Sequence, residues 1–317
     1  MLDSILYLPV LSGLLSSALH SLVATSIEFK GELLAIVAAV CWAAGSSVYK
    51  KGLETTDVWS GNLMRIGLAS LGFIFVLSVK GNLISCLQAL EYSLLFWLVF
   101  SAFFALVFGD YLLLTALKEI GVSRTVPISS TYPLFVTVWA FIFFEKHVSG
   151  FIIIGTILIV IAIRLISEER KKVQDDIDPA HYKRGILIAL SAAILWSVSI
   201  VVLDQITIYF PSEFVAGFRF LISALFLSAI VSRTKFTVNK NSLLWIGIGG
   251  ALLLMISNYA FVEAIRLVGS TRVAPITSVY PVISVFVASA FLGEKLTLKI
   301  LGGTCLSCIG VMLVILG

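Results

Sequence analysis

Apolar residues follow one another along this chain in blocks of about 20 positions, the length a helix needs to cross the hydrocarbon core of a bilayer. LLAIVAAVCWAAGSSVY (33–49) and FIIIGTILIVIAIRLI (151–166) are two such blocks. Polar punctuation divides the sequence into spans near 32–50, 58–79, 92–117, 121–144, 148–166, 185–204, 212–231, 243–266, 269–293 and 297–316, ten in all. Most connections are short. The exception is SEERKKVQDDIDPAHYKR (167–184), a charged, Pro-containing linker between 31–166 and 185–317. The pattern predicts an all-α integral membrane protein with ten transmembrane helices, five on each side of that linker.

The two halves resemble each other. A shift of 148 residues lays ALKEIGVSRTVPISSTYP (116–133) on AIRLVGSTRVAPITSVYP (264–281), with identity at eight of eighteen positions. The same shift pairs Tyr111 with Tyr259 and Asp110 with Asn258, and a shift of 154 pairs Trp42 with Trp196 and Arg65 with Arg219. Internal agreement of this kind marks a repeat. Because each copy holds five spans, an odd number, the second copy enters the membrane from the opposite side, so the repeat is inverted. Inverted repeats are a common device of secondary carriers, whose solute site lies near the midplane between the copies. Duplication as a mere route to a larger membrane protein is the alternative.

Residues 1–30 form an N-terminal apolar segment with three readings: an interfacial helix, an extra span, or the product of a start codon placed too far upstream. A signal peptide would need a basic start, and Asp3 stands there instead. Pro9, Gly13 and His20 argue against a regular central span.

Composition agrees with the pattern: 59% of the 317 residues are hydrophobic, 13% are charged, and the mean hydropathy is +1.07. The net charge of +4 does not point to nucleic acid, because the basic residues are scattered among short connections rather than gathered in a stripe with aromatics. Cys41, Cys305 and Cys308 fall inside predicted spans as small hydrophobes, with Cys86 beside one. No metal site or cofactor is expected.

Ionisable groups inside a span each need an explanation. Arg65 and Arg219 lie about two turns into the second and seventh spans, where they either snorkel toward the headgroups or line a cavity and attract an anionic group. Asp110 and Glu263 are candidates for proton or sodium coupling, although Glu263 is about one turn from the end of its span and has Arg266 nearby. His20, His147 and His181 are all outside the spans. The matched prolines Pro127, Pro133, Pro275 and Pro281 give each repeat's fourth helix a Pro-x5-Pro hinge that frees carbonyls and permits bending. Ser130, Tyr132, Ser278 and Tyr280 sit between them, either facing a wet cavity or satisfying those carbonyls. Trp42 and Trp196 are mid-span, away from the interfacial belts, and each offers a flat wall with one N–H donor. With Tyr111, Asn258 and Tyr259 they complete the predicted substrate-binding set; no catalytic residue is expected.

Ten spans in two repeats, Trp in the first helix of each, Arg in the second, Pro-rich fourth helices, and FFEKHVS (143–149) and LGEKLTL (292–298) before the last helices together resemble the EamA-type branch of the drug/metabolite transporter superfamily. The resemblance covers residues 31–317. The first copy departs from it, with Phe144–Glu145 where the second has Gly293–Glu294. It implies export or exchange of small metabolites such as amino acids through a cavity lined by spans one, three, four, six, eight and nine. Glu145 and Glu294 read as helix-start devices rather than ligands.

Outside Arg65 and Arg219, fifteen Lys and Arg fall on the linker side and five on the side of the termini, so the positive-inside rule puts the linker in the cytoplasm. The resemblance implies a cytoplasmic C-terminus and disagrees. The chain is expected to be a multi-pass protein of the cell membrane, a monomer or homodimer, with lipid and a small-molecule substrate as partners. Alternatives are a nucleotide-sugar or phosphorylated-metabolite antiporter, an intramembrane enzyme, which would need convergent carboxylates, histidines or a Ser/His pair, and a channel. No G-x-x-x-x-G-K-[ST] sequence for nucleotide is present.

Overall fold

The computed structural model describes residues 3–144, 149–168, 179–207, 209–268, 273, 276–277 and 279–316, and among them there are helices and no strands. The helices are α1 (Asp3–Leu53), α2 (Val58–Lys80), the short α3 (Leu83–Gln88), α4 (Tyr92–Ile120), α5 (Val122–Ser129), α6 (Tyr132–Phe144), α7 (Gly150–Glu168), α8 (Pro179–Ile206), α9 (Ser212–Val231), α10 (Lys240–Val268), α11 (Tyr280–Leu292) and α12 (Leu298–Leu316). Seven of them contain a stretch long and apolar enough to cross a membrane: α1 from Glu28, α2, α4, α8, α9, α10 and α12. Apolar stretches Gly150–Ile166 of α7 and α11 are shorter.

Helix α1 continues without interruption from Asp3 through the first span, 51 residues in all. At 1.5 Å per residue it is longer than about two hydrocarbon thicknesses. The segment 1–30 is thus helical in backbone from Asp3 onward, while residues 1–2 lie outside the description.

The predicted fourth span, 121–144, is two helices. Pro133 cannot donate to the ladder and its ring crowds the carbonyl four residues back, so the chain turns at Ser130–Thr131. Hydroxyls take up carbonyls at the break: Ser130 Oγ donates to Val126 O at 2.5 Å and Thr131 Oγ1 to Ile128 O at 2.7 Å. Gly121, at φ 79°, makes the sharp turn between α4 and α5. In the second half Pro281 sits in the first turn of α11, where a missing N–H does no harm. Pro275 and Ser278, like the linker residues 169–178, lie outside the described residues.

Large apolar side chains point outward as well as inward, as expected where lipid is the solvent. On α7, Phe151, Ile154, Ile157 and Val160 face out while Gly155, Ile159, Ala162 and Ile166 face α12. A Cβ on Gly155 would lie 2.6 Å from Gly310 O, so the two backbones meet through glycine. Helix α1 packs most extensively on α10 and also on α11, α8 packs on α4 and on α5 and α6, and α2 packs on α9.

One face of the bundle is strapped by polar contacts. Thr56 Oγ1 donates to Thr237 O at 2.6 Å, Thr237 N to Ser60 Oγ at 3.0 Å, Asn239 Nδ2 to Thr55 O at 2.7 Å, and Thr237 also donates to the Asp57 carboxylate. Asp57 additionally caps α2, accepting from Ser60 N at 2.9 Å. Partial burial raises this carboxyl, but hydrogen bonds from Ser60 and Thr237 outweigh it and hold it below its ordinary range. A depressed folded-state value stabilises above the unfolded one and is lost as pH falls through the folded one. Asp57→Ala is therefore expected to destabilise by about 1 kcal/mol at neutral pH. That difference should shrink as the pH falls through the ordinary carboxylate range and disappear only below Asp57's own depressed value, as read by chemical denaturation of the purified pair.

Candidate functional site

Helix α4 widens into a π-helical segment, Phe103–Gly109, immediately before Asp110. A π turn shifts the face on which the following residues lie. Asp110, Leu113, Leu114 and Leu117 are buried, whereas Tyr111 is half-buried and stacks on Trp59 at 3.8 Å. Helix α10 has its own π segment, Leu243–Gly249, earlier in the helix, so α4 and α10 have equal length but not equal irregularity.

Arg65 enters from α2 and is buried to 1% exposure. Its Nη2 meets Asp110 Oδ2 at 2.6 Å, and both Nε and Nη2 donate to Asn62 Oδ1, at 3.1 and 2.9 Å. Asn62 is one turn earlier on the same helix face, and its amide donates to Leu106 O at 3.0 Å, tying the pair to the π segment. The guanidinium also lies over the Tyr49 ring, 4.6 Å from its centroid. Trp196 Nε1 donates to Asp110 Oδ1 at 3.1 Å, so both carboxylate oxygens are engaged. Neither snorkelling nor an isolated charge describes Arg65: it is buried, paired and hydrogen-bonded.

Arg219 enters from α9 and is also buried. Its Nη2 donates to Ser199 Oγ at 2.9 Å, Ser199 passes its own hydrogen to Ser101 O at 2.9 Å, and Arg219 Nε is buried with no hydrogen-bond partner.

These groups line a cavity of about 150 Å³ between the two halves. One water position takes roughly 10–15 Å³ on this measure, so the space suits a solute of roughly ten to fifteen heavy atoms. Of the predicted site residues, Trp42, Arg65, Asp110, Tyr132, Trp196, Arg219, Asn258 and Tyr280 line it. Trp42 meets Phe261 at 4.9 Å and Tyr280 at 5.6 Å, forming an aromatic wall, and Tyr132 stands edge-on to Trp196 at 6.5 Å. The remaining predicted residues that are described lie elsewhere. Tyr111 is on Trp59, Ser130 spends its hydrogen on Val126 O, and Tyr259 lies beneath Lys80, whose Nζ is 6.0 Å from the ring. Glu263 accepts from Ser212 Oγ at 3.0 Å and faces Arg266 at 3.7 Å, away from the cavity lining. Pro127 is within α5, Pro133 begins α6, and Pro281 begins α11.

Sequence reasoning passed over Tyr49, Asn62 and Ser199, which hold the two arginines. The lining helices implied by resemblance also omit α2 and α9, which the arginines bring in. Glu294 is a different kind of surprise. Its carboxylate accepts from Val122 N and Ser123 N, each at 2.8 Å, so it stabilises the start of α5 in the other half rather than the helix that follows it. Thr297 Oγ1 serves α12, accepting from Ile300 N at 3.3 Å. Glu145, the matching residue, lies outside the described residues. Among those residues no His/Cys/Asp/Glu group is arranged to hold a metal ion.

The profile of the EamA-like transporter family matches residues 29–168 and again 183–316. A protein of Archaeoglobus fulgidus described as an uncharacterized transporter is 27% identical over 286 residues, which is 90% of this chain and 97% of its own. A crystal structure of another protein shares the fold, with a TM-score of 0.64 at 16% identity over 90% of this chain and 94% of that one.

Proposed function

This chain belongs to the EamA-like transporter family, an integral membrane family of small-molecule transporters, and from that premise we propose that it is a secondary carrier of the cell membrane working by alternating access. Its cargo is a small metabolite, an amino acid or related compound, exported or exchanged through the central cavity. The observation that carries the reading is that cavity, built from both halves of the chain and walled by Trp42, Trp196, Tyr132 and Tyr280 around buried charge. Its size favours a small metabolite over a nucleotide sugar.

Ten spans follow if α7, α11 and the broken α5–α6 cross the membrane together with the seven longer helices. The twofold family match supports an inverted repeat. So do the helix contacts: exchanging the halves turns the α1–α10 contact into α8–α4, and α1–α11 into α8–α6, and all four are present. The linker side is cytoplasmic by its excess of Lys and Arg.

Counterflow into liposomes by purified protein tests the reading, with an amino acid panel beside a nucleotide-sugar panel at two pH values. Saturable counterflow of amino acids is expected; ohmic flux would identify a channel and sink it. In the same assay Trp42→Ala and Trp196→Ala are each expected to lower the rate roughly tenfold by removing a wall of the site, the scale of one buried aromatic contact. Quantitative blotting of the membranes should find both variants at wild-type abundance, and parallel losses of protein and rate would make the tryptophans packing residues.

A further inference from the structure

The two arginines are equivalent in the repeat and unequal in their surroundings. The shift that lays Arg65 on Arg219 also lays Asn62 on Ala216 and Tyr49 on Leu203, and the shift for the third helices lays Asp110 on Asn258. In sequence, the counterpart of each group that neutralises or holds Arg65 lacks what that group supplies: a methyl for an amide acceptor, an aliphatic chain for an aromatic face, an uncharged amide for a carboxylate. What Arg219 gains is Ser199, at a position where the first half has Gly45. The Ser199 hydroxyl accepts one hydrogen bond from Arg219 and supplies no charge. Arg219 lines the cavity with one nitrogen on Ser199 and Nε without a partner. Asp110 has both oxygens committed to Arg65 and Trp196, and one carboxylate does not balance two guanidiniums. Among the described residues the charged side chains lining the cavity are Arg65, Asp110 and Arg219, two positive charges against one negative.

We propose that Arg219 is the anion anchor of the cavity and that the cargo is a small compound bearing a single carboxylate, presented to this guanidinium while its apolar body lies against the aromatic wall of Trp42, Phe261 and Tyr280. The proposal rests on the carrier reading for its biology but not for its measurement. A guanidinium fork matches a carboxylate in two parallel hydrogen bonds. A phosphate monoester would bring close to two negative charges where one is required. Arg65 is then the neutral counterpart, its built-in Asp110 occupying the place that the cargo's carboxylate takes beside Arg219. Asn258 stands where the other copy has Asp110 and lines the same cavity, so an aspartate there would supply the second negative charge from the protein itself.

The test is titration calorimetry on the full chain purified in detergent. The probes are isovalerate, leucine, lactate and phenylacetate, each against its amide, and phenyl phosphate. At least one acid is expected to bind, with its amide at least about tenfold weaker, the scale of a charge-assisted hydrogen bond. Arg219→Gln and Asn258→Asp should each weaken that acid by at least about tenfold, and Arg219→Lys should recover part of the loss. If Arg219→Gln does not fold, Asn258→Asp decides, because it keeps the arginine and neutralises it. Amides binding as well as acids, undiminished binding in Asn258→Asp, tighter binding of phenyl phosphate, or no binding by any acid overturns the proposal. Counterflow of the same compounds separates the two readings. Acids that bind through Arg219 but never counterflow leave the anchor standing and end the carrier reading; amides that counterflow as fast as their acids do the reverse.

Discussion

Asp110→Ala is expected to destabilise the protein by about 3–5 kcal/mol, because it strands the Arg65 guanidinium in the interior without its counter-charge. The pair is almost fully enclosed by protein, with side-chain exposures of 1% for Arg65 and 7% for Asp110, so water reaching it from the cavity replaces little of the lost carboxylate's charge. Asn62 would still accept from the guanidinium, but a neutral oxygen recovers hydrogen bonds and not charge. Trp196 would lose its acceptor in the same step and leave a second donor unsatisfied. Asp110→Asn keeps the shape and loses the charge, and should fall between wild type and alanine. The informative comparison is the double variant Arg65→Met/Asp110→Leu. Replacing a whole buried ion pair by apolar groups of similar volume is often neutral, so the double variant should regain most of the stability that either single variant loses. Its transport should stay low, because the cavity would have lost one side of its polar lining. Denaturation midpoints of the purified proteins and counterflow rates check the two halves of the expectation. A single variant within about 1 kcal/mol of wild type would mean that the site hydrates freely and that the ion pair does not hold the helices.

The fold was legible where lipid imposes its length on every helix, and the site where the repeat marked residues twice. Blocks of about 20 apolar residues located α2, α9 and α12 to within a residue or two. Trp42 with Trp196, Arg65 with Arg219, Tyr132 with Tyr280 and Asp110 with Asn258 are matched pairs, and all eight residues line the cavity. Matching alone did not suffice: Tyr111 and Tyr259 are matched too, yet each is one residue on from a lining position, about 100° around the helix, and faces away from the cavity. Tyr49, Asn62 and Ser199 escaped notice for the opposite reason, as ordinary residues with no counterpart in the other copy. Their mismatch was itself the signal, because a partner that exists in one half and not in the other is what makes two equivalent arginines unlike. Glu294 is legible in the sequence as a helix-start device, but not which helix it starts. Its partner is 171 positions away in sequence, at Ser123 N, and only the packing of the halves brings the two together.

That cross-half contact carries the second large expectation: Glu294→Ala should shift the protein toward the state open on the strapped face. The carboxylate accepts two hydrogen bonds from the exposed N–H groups at the start of α5, each at 2.8 Å, and sits where the helix dipole favours negative charge. Gly121 makes room for it: a Cβ there would stand 2.8 Å from Glu294 Oε1, and its φ of 79° already disfavours other residues. Lys118 Nζ donates to Thr56 O at 3.0 Å and Lys50 Nζ to Lys118 O at 3.0 Å, so the clamp is continuous with the strap formed by residues 55–57 and 237–239. Glu294 belongs to the second half and α5 to the first, so any rocking that opens this face must break the contact. Two charge-assisted hydrogen bonds at a half-buried site are together worth about 2 kcal/mol, which corresponds to roughly a 30-fold change in the ratio of closed to open. Glu294→Gln, which can still accept one of the two hydrogens, should give an intermediate shift. The readout is the rate at which a membrane-impermeant maleimide labels Val126→Cys, a cavity-lining position on α5, in a background with the four native cysteines replaced. Labelling from the strapped face should accelerate by up to that factor in Glu294→Ala, while labelling from the other face slows. A lower melting temperature with unchanged labelling on both faces would make Glu294 a local cap, and the energy that holds this face shut would then have to reside in the threonine and asparagine strap alone.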